Sequence, residues 1–248
     1  MKSMNNLFVL LLFLWVTGMH SNMAQSSISS AGGGCTLDFN GSGNYVEIPS
    51  SQGLNAVANT GASATYEAWV RWVNPGSNEV VLSKMHTSGD QALFDVGITS
   101  AGLVYFLITN GFSMGTDKYT ASVPLEQDKW VYIAVTHTYG LGSSTNIYIN
   151  GLPVAGSWTM DGNRSVISNN MNPLHIGRQL HINPCFYNDE IDEVRIWNRA
   201  LTQVEIRENM CRRLSGSEPG LMGYWCFDEC SGSMAADLSG HGNNGVLH

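Results

Sequence analysis

Two carboxylates on one predicted strand are the residues best placed to do chemistry. Glu190 and Asp192 lie in an alternating run that ends at Trp197, and residues two apart on a strand point to the same face. Two carboxylates ~5 Å apart can hydrolyse a glycosidic bond with retention, one as nucleophile and the other as acid and base. The next position on that face is Val194, and strand alternation turns Glu193 to the opposite face. We therefore expect an acid/base partner for Glu190 to be missing from this strand.

Aromatic side chains in loops are the second group with a possible function, because ring faces can stack on sugars. Trp158, Tyr139 and Tyr187 lie in segments rich in Gly, Asn and Ser, and His181 and Asn183 precede Tyr187. The tryptophans of predicted strands are expected in the core instead, since an indole buries a large apolar area. These five loop residues are the predicted carbohydrate-binding residues.

Composition and charge exclude one class of partner. The chain has 248 residues, a formal net charge of −8 and only 13% charged residues. A nucleic-acid-binding protein is expected to carry a basic patch, and here the largest cluster of basic residues is Arg212-Arg213. We expect no nucleic-acid partner.

The N-terminal segment has the features of a secretory signal. Lys2 is followed by ten apolar residues from Leu7 to Val16, a run too short for a membrane span of ~20 residues. Residues 1–24 are therefore predicted to be a signal peptide, and residues 25–34 a flexible lead-in to one domain over residues 35–248. This organisation predicts a secreted protein that does not insert into a membrane.

Five cysteines remain after the predicted cleavage. Export makes disulfides plausible, but two bridges leave one thiol over and the pairing stays open. Zinc is the competing interpretation, and Cys226-x3-Cys230 lacks the second paired motif of a structural zinc site.

Turn signals and apolar runs predict an all-β architecture of two antiparallel sheets. Asn110-Gly111 and Asn150-Gly151 are typical of two-residue hairpins, because both residue types tolerate positive φ. The one predicted helix, over residues 202–210, begins with a capping box formed by Thr202 and Glu205.

Several segments together resemble laminin-G-like jelly rolls of the concanavalin A-like lectin/glucanase superfamily. The resemblance covers nearly everything from residue 35 onward and follows the order of the family. The matching segments are Leu37-Asp38-Phe39-Asn40-Gly41, Tyr66-Glu67-Ala68-Trp69-Val70, Trp130-Val131-Tyr132-Ile133, Ile147-Tyr148-Ile149-Asn150-Gly151, Leu174-His175-Ile176-Gly177 and Trp197-Asn198-Arg199-Ala200-Leu201-Thr202.

The resemblance implies a jelly-roll sandwich and sharpens the expectations for its acidic residues. Glucanases of this superfamily carry Glu-x-Asp-x-Glu on one strand, and this chain has Val194 in place of the third acid. Some members hold a structural Ca²⁺ near the end of this strand, for which Asp192 and Asp237 are the candidate ligands. The alternative is that each of these two carboxylates caps backbone N–H groups.

The resulting prediction is a secreted, non-enzymatic recognition module that binds glycans. An adhesion domain that binds protein is the alternative, and a glycoside hydrolase is a weaker one. The C-terminal segment from Gly220 either closes the same sandwich or begins another domain, and we expect closure because an open sheet leaves an unpaired edge.

Overall fold

Alternating apolar residues build two layered antiparallel sheets in the computed structural model, which describes residues 34–85, 93–109, 116–164, 171–180 and 185–248, and the backbone of residues 25–27. The elements, in chain order, are β1 (Gln25–Ser27), β2 (Thr36–Asn40), β3 (Val46–Ile48), α1 (Gln52–Ala56), β4 (Ser63–Arg71), β5 (Glu79–Ser83), β6 (Phe94–Ile98), β7 (Leu103–Thr109), β8 (Thr116–Pro124), β9 (Trp130–Thr138), β10 (Leu141–Ile149), β11 (Leu152–Val154), β12 (Gly156–Trp158), β13 (Leu174–Ile176), β14 (Asn188–Trp197), α2 (Gln203–Asn209), β15 (Leu221–Trp225), β16 (Met234–Ala235) and β17 (Gly245–Leu247).

The first sheet has the strand order β1-β2-β14-β4-β9-β10-β11, with β15 also paired to β14. The second sheet has the order β12-β8-β7-β6-β5-β13-β3-β17-β16. This two-sheet sandwich confirms the predicted fold class.

The main core lies between the two sheets, and a second, smaller core covers the outer face of the first sheet. Strand β9 contributes to both, because Ile133 belongs to the main core while Tyr132 belongs to the outer one. The outer core lies against α2, from which Ile206 packs beside Trp197. Burying each such side chain contributes ~1.5–3 kcal/mol, so the short helix is held mainly by packing.

The cap of α2 and one hairpin form as the sequence predicts. The Thr202 side chain accepts from the Glu205 N–H and the Glu205 carboxylate accepts from the Thr202 N–H, which completes the capping box. Asn150 and Gly151 join β10 to β11 with φ of 50° and 71°, which is the positive φ that a type I′ turn requires. The second predicted hairpin, Asn110-Gly111, lies outside the described residues.

A β-bulge in β14 changes the predicted alternation. The pairing with β4 shifts between Asp192 and Arg195, and Glu193 has a φ of 53°. Ile191 and Val194 therefore both enter the main core, whereas Asp192 points to the outer face. The prediction that Asp192 shares a face with Val194 is wrong, because a bulge inserts an extra residue and resets the alternation.

Both ends of the described chain pair with the sandwich. The sequence predicted a flexible lead-in here, but Gln25–Ser27 pair with Thr36–Asp38. This pairing is possible because a strand edge offers backbone partners to any residue type. In the C-terminal segment β15 pairs with β14 and β17 pairs with β3, so this segment joins both sheets, as predicted. Cys35 and Cys230 form a disulfide that ties β2 to this segment.

Three cysteines stay free, namely Cys185, Cys211 and Cys226. The disulfide uses Cys230, so this residue cannot join Cys226 in a zinc site. Among the described residues no helix is long and apolar enough to cross a membrane.

Candidate functional site

One end of the sandwich carries a short helix that follows β3. The helix α1 begins after Ser51, whose side chain accepts a hydrogen bond from the Leu54 N–H at 3.3 Å. Such an N-cap satisfies one of the free donors of a helix start. Leu54 is buried in the main core, so the helix is fixed to the end of the sandwich with its polar residues outward.

A pocket of about 360 Å³ opens beside this helix, and we call it the rim pocket. Its volume falls within the range of small-molecule sites, ≈ 300–1,000 Å³. Among the described residues, the side chains around it share one property, which is that none is charged. The lining residues are Ser50, Ser51, Gln52, Asn55, Ala56, Asn59 and Met171.

The polar groups of the rim pocket suit a ligand with many hydroxyl groups. A carboxamide presents both a donor and an acceptor, and so does a hydroxyl group. The Ser50 hydroxyl donates to Asn55 Oδ1 at 3.0 Å, which fixes the orientation of that amide. Met171 is 74% exposed and adds an apolar surface to the wall.

A buried lysine fixes the wall that carries Met171. Lys84 is fully buried, and its Nζ donates to the backbone oxygen of Asn172, the next residue after Met171. Burial lowers the pKa of Lys84 from 10.5 to about 8. The lysine is thus a positioning residue beneath the pocket wall.

Trp158 lies on the edge strand β12 and is partly buried. Its indole Nε1–H donates to the Gly142 oxygen at 3.0 Å, and its ring packs edge-on against Tyr119 with centroids 5.4 Å apart. The indole is therefore fixed in one orientation with part of its surface in solvent. Its contact with a sugar stays a prediction.

The two predicted tyrosines lie in the core instead of on the surface. Tyr139 is 1% exposed and its hydroxyl lies 2.7 Å from that of Tyr66. Tyr187 is fully buried and its hydroxyl donates to the Arg71 oxygen at 2.7 Å. Their ring faces are covered, since each phenol finds a partner inside the sandwich and its ring can be buried.

The other two predicted carbohydrate-binding residues, His181 and Asn183, lie outside the described residues. The strand pairings place Trp158, at the C-terminal end of β12, and Tyr139, just after β9, toward the end of the sandwich that carries α1. Tyr187 precedes β14 and lies at the opposite end. The structure therefore does not bring the predicted set together in one place.

The two candidate calcium ligands have other partners. Asp237 accepts from the backbone N–H groups of Tyr224, Ser239 and Asn243 at 3.0, 2.9 and 2.8 Å, which is the capping alternative. Asp192 is buried, and burial together with the charge of Glu193 raises its pKa to about 8.

Hydrogen bonds already use both carboxylate oxygens of Asp237. No group of three or more His, Cys, Asp or Glu suited to a metal ion occurs within the described part of the chain. Calcium binding by Asp192 and Asp237 stays a prediction of the resemblance.

The carboxylate of Glu190 lies close to that of Asp189, and one arginine joins them. Arg71 Nη1 lies 3.0 Å from Glu190 Oε2 and 3.1 Å from Asp189 Oδ1, while Thr36 donates to Glu190 Oε1 at 2.8 Å. Burial raises the pKa of Asp189 to about 6, and the charge of Arg71 opposes that rise. The two carboxylate side chains are only 10% and 9% exposed, so both are held in an ion-pair network rather than presented in an open cleft.

The bulge also moves Glu193 away from its predicted position. Its carboxylate accepts from the Tyr224 hydroxyl at 2.8 Å and pairs with Arg195 on the outer face of the first sheet. The sequence placed this residue opposite to Glu190, and the positive φ of the bulge turns it outward instead. Glu193 is 6% exposed, and its carboxylate serves the outer core.

Sequence reasoning missed the rim pocket. The available signal was Ser50-Ser51 followed by Leu54, an N-cap pattern in a stretch rich in Ser and Asn. That pattern predicts a short helix and does not reveal that Met171, more than a hundred residues later, completes the wall.

A family model described as the concanavalin A-like lectin/glucanases superfamily matches residues 40–207. A search of curated proteins by sequence finds no match.

Similar solved structures include a protein from Bacteroides ovatus predicted to bind carbohydrate, with 25% identity and a TM-score of 0.61 over 87% of this chain and 58% of that one. The binding domain of Paraclostridial Mosquitocidal Protein 1 has 13% identity and a TM-score of 0.56 over 75% of this chain and 45% of that one. The CBM40 of the Ruminococcus gnavus IT-sialidase, bound to α2,3-sialyllactose, has 12% identity and a TM-score of 0.51 over 70% of this chain and 96% of that one. The latter two likenesses are of fold alone.

Proposed function

Because this chain belongs to the concanavalin A-like lectin/glucanase superfamily, we propose that it is a secreted, non-enzymatic module that binds glycans in the rim pocket. The observation that carries this proposal is the pocket of about 360 Å³ lined by uncharged hydroxyl and amide side chains. The similarity to a Bacteroides ovatus protein predicted to bind carbohydrate supports it, although the chain spans only 58% of that protein's length.

The chemistry of the lining favours a neutral, hydroxyl-rich ligand. An ionised ligand would lose hydration without gaining an opposite charge, whereas sugar hydroxyls can both donate to and accept from Asn55 and Asn59. Met171 offers a polarizable apolar contact to the C–H face of a sugar ring. In this mechanism Trp158 is a second contact toward the same end of the sandwich.

Binding without catalysis is supported by the environment of Glu190. A retaining hydrolase needs its acid and its nucleophile beside an open substrate cleft. Arg71 joins Glu190 and Asp189 in an ion-pair network in which the two carboxylate side chains are only 10% and 9% exposed. The hydrolase alternative predicts release of reducing sugar that disappears in Glu190→Gln and Asp189→Asn, and the binding proposal predicts none from wild-type protein.

A protein partner is the second candidate function. Two large apolar side chains, Met160 and Met171, are 66% and 74% exposed, and flexible methionines suit adaptable protein interfaces. A glycan array separates the two functions, because only glycan binding gives a signal there.

Secretion is supported by the disulfide between Cys35 and Cys230, since disulfides persist in oxidising compartments. The predicted signal peptide, residues 1–24, lies outside the described residues. N-terminal sequencing of protein recovered from the medium or periplasm tests cleavage after that segment.

The glycan test uses a neutral-glycan array with wild-type protein and three variants. We expect Asn55→Ala and Asn59→Ala to weaken the best signals roughly 2- to 10-fold each, as the loss of one hydrogen bond predicts. The matched control is Asn146→Ala, an exposed amide on β10, which should leave the signals unchanged. Absence of binding to every glycan would overturn the proposal and favour a protein partner.

A further inference from the structure

A second cavity lies on the outer face of the first sheet, beyond the C-terminal end of α2. Its volume is about 90 Å³, several times the space that one water molecule requires. We call it the arginine cavity because three of its seven lining residues are arginines. The lining residues are Trp69, Glu193, Arg195, Met210, Cys211, Arg212 and Arg213.

Arg195 is the buried member of this set, at 1% exposure. Its Nη1 donates to the Asn209 oxygen at 2.8 Å and its Nη2 to the Arg212 oxygen at 2.9 Å, so it caps the carbonyl groups at the end of α2. Among the described residues its Nε has no hydrogen-bond partner. A buried guanidinium N–H without a partner is costly, and Arg195 is one of the residues that line the cavity.

Arg195 stays charged although burial opposes the charged form. Burial lowers the pKa of Arg195, but the neighbouring Tyr132 hydroxyl and the carboxyl groups of Glu67 and Glu193 together raise it above its ordinary value. Glu193 is the one carboxylate in the lining, and its oxygens already accept from Arg195 and from the Tyr224 hydroxyl. Its negative charge is therefore largely compensated before any ligand binds.

The other two arginines lie at the mouth. Arg213 pairs with Asp228, whereas Arg212 makes a long hydrogen bond of 3.4 Å to Asn209 Oδ1 and no ion pair with a described carboxylate. Three arginines and one glutamate thus line the cavity, and the neighbouring carboxyl groups of Glu67, Asp192 and Asp228 offset part of the positive charge. The guanidinium group of Arg212 is therefore the one in the lining that no described carboxylate pairs with.

We propose that the arginine cavity binds the carboxylate or sulfate group of an acidic sugar. Guanidinium groups bind such oxyanions through charge-assisted, often bidentate hydrogen bonds. The volume of the cavity admits the charged group but not a whole sugar ring. The ring would lie outside, across Trp69 and Met210. The choice of a sugar as the carrier rests on the proposed function, whereas the anion site rests on the cavity alone.

Cys211 provides a built-in reporter, because this exposed thiol lines the same cavity. A bound anion should cover the thiol and slow its alkylation by iodoacetamide, a neutral reagent. Cys185 is a free, partly exposed thiol outside the lining, so its alkylation rate is the internal control. Mass spectrometry of the two cysteine peptides measures both rates on the intact, disulfide-bonded protein.

Four probes separate the sources of the anion, namely glucose, glucuronic acid, glucose 6-sulfate and inorganic sulfate. We expect the two acidic sugars to protect Cys211 and not Cys185, glucose to have no effect, and inorganic sulfate to protect only at higher concentration. Arg212→Gln should weaken protection by glucuronic acid roughly five- to tenfold, as expected for one charge-assisted contact. The control is Arg207→Gln, which removes the same charge from an exposed position of α2 outside the cavity.

Equal protection by glucose and glucuronic acid, or no protection by either acidic sugar, would overturn the proposal. Protection by inorganic sulfate as strong as that by glucose 6-sulfate would refute the sugar as carrier. The Arg212 variant should keep neutral-glycan binding at the rim pocket, and Asn55→Ala should keep the protection of Cys211, so the two proposals fail separately.

Discussion

Replacing Lys84 by methionine tests how the wall of the rim pocket is held. Lys84 is fully buried and donates to the Asn172 oxygen. Methionine has a similar length and no charge, so Lys84→Met removes the ammonium group and keeps most of the packing. The difference in unfolding free energy between the variant and wild type should depend on pH, whereas the loss of an uncharged contact would give the same difference at every pH.

The magnitude follows from the pKa of Lys84, which burial lowers from 10.5 to about 8. A lowering of that size corresponds to ~3 kcal/mol of destabilisation of the charged form. The lost hydrogen bond to the Asn172 oxygen costs ~1 kcal/mol. At pH 7, where the lysine is charged in both states, the variant should therefore be more stable by ~2 kcal/mol.

The sign of the difference should reverse at high pH. Between pH 8 and 10.5 the unfolded state binds a proton at Lys84 that the folded state does not, so wild-type stability gains from this group as pH rises. Near pH 10 most of the burial cost is gone, and Lys84→Met should be neutral or less stable by up to ~1 kcal/mol.

Urea unfolding of both proteins at pH 7 and pH 10 measures this reversal, and titration of other groups cancels in the difference. The control is Lys129→Met, an exposed lysine, for which we expect less than ~0.5 kcal/mol at either pH. A variant that is destabilised equally at pH 7 and pH 10 would refute the account of a buried, strained charge beneath the pocket.

Three further predictions concern parts of the fold that position the sites. Arg195→Met should lower the free energy of unfolding by ~3–5 kcal/mol in a urea titration, because it leaves buried carboxylates unpaired. The control Arg199→Met, at a half-exposed pair, should cost less than ~1 kcal/mol. Equal costs for the two variants would contradict this prediction. Asp237→Asn should cost ~1–2 kcal/mol through its backbone hydrogen bonds, equally in Ca²⁺ and in EDTA, and a loss seen only in Ca²⁺ would show that the carboxylate binds the ion. Removing the disulfide by replacing Cys35 and Cys230 with serine should cost ~2–5 kcal/mol, and an unchanged melting temperature would speak against a structural role.

Regular local patterns made the fold predictable from sequence. The capping box at Thr202 and the turn at Asn150-Gly151 are set by residues within a few positions of one another, and both form as predicted. The apolar runs likewise predict strands that bury one or both faces. The β-bulge at Glu193 was not predictable, because it arises from the pairing with β4, a strand more than a hundred residues earlier.

The candidate site was less predictable for the same reason. Loop composition suggested that Tyr139 and Tyr187 face solvent, yet both phenols find partners in distant strands and are buried. The rim pocket depends on Met171 meeting a helix that begins at Gln52. A contact over that separation leaves no periodic signal in the sequence.

The central claim is that uncharged amides of the rim pocket bind a neutral glycan. Titration calorimetry of the strongest array glycan against wild type, the double variant Asn55→Ala with Asn59→Ala, and Asn146→Ala tests it most directly. We predict that the double variant weakens Kd by roughly tenfold or more, as two lost hydrogen bonds imply, while Asn146→Ala matches wild type. An unchanged Kd in the double variant, with its melting temperature preserved, would contradict the claim.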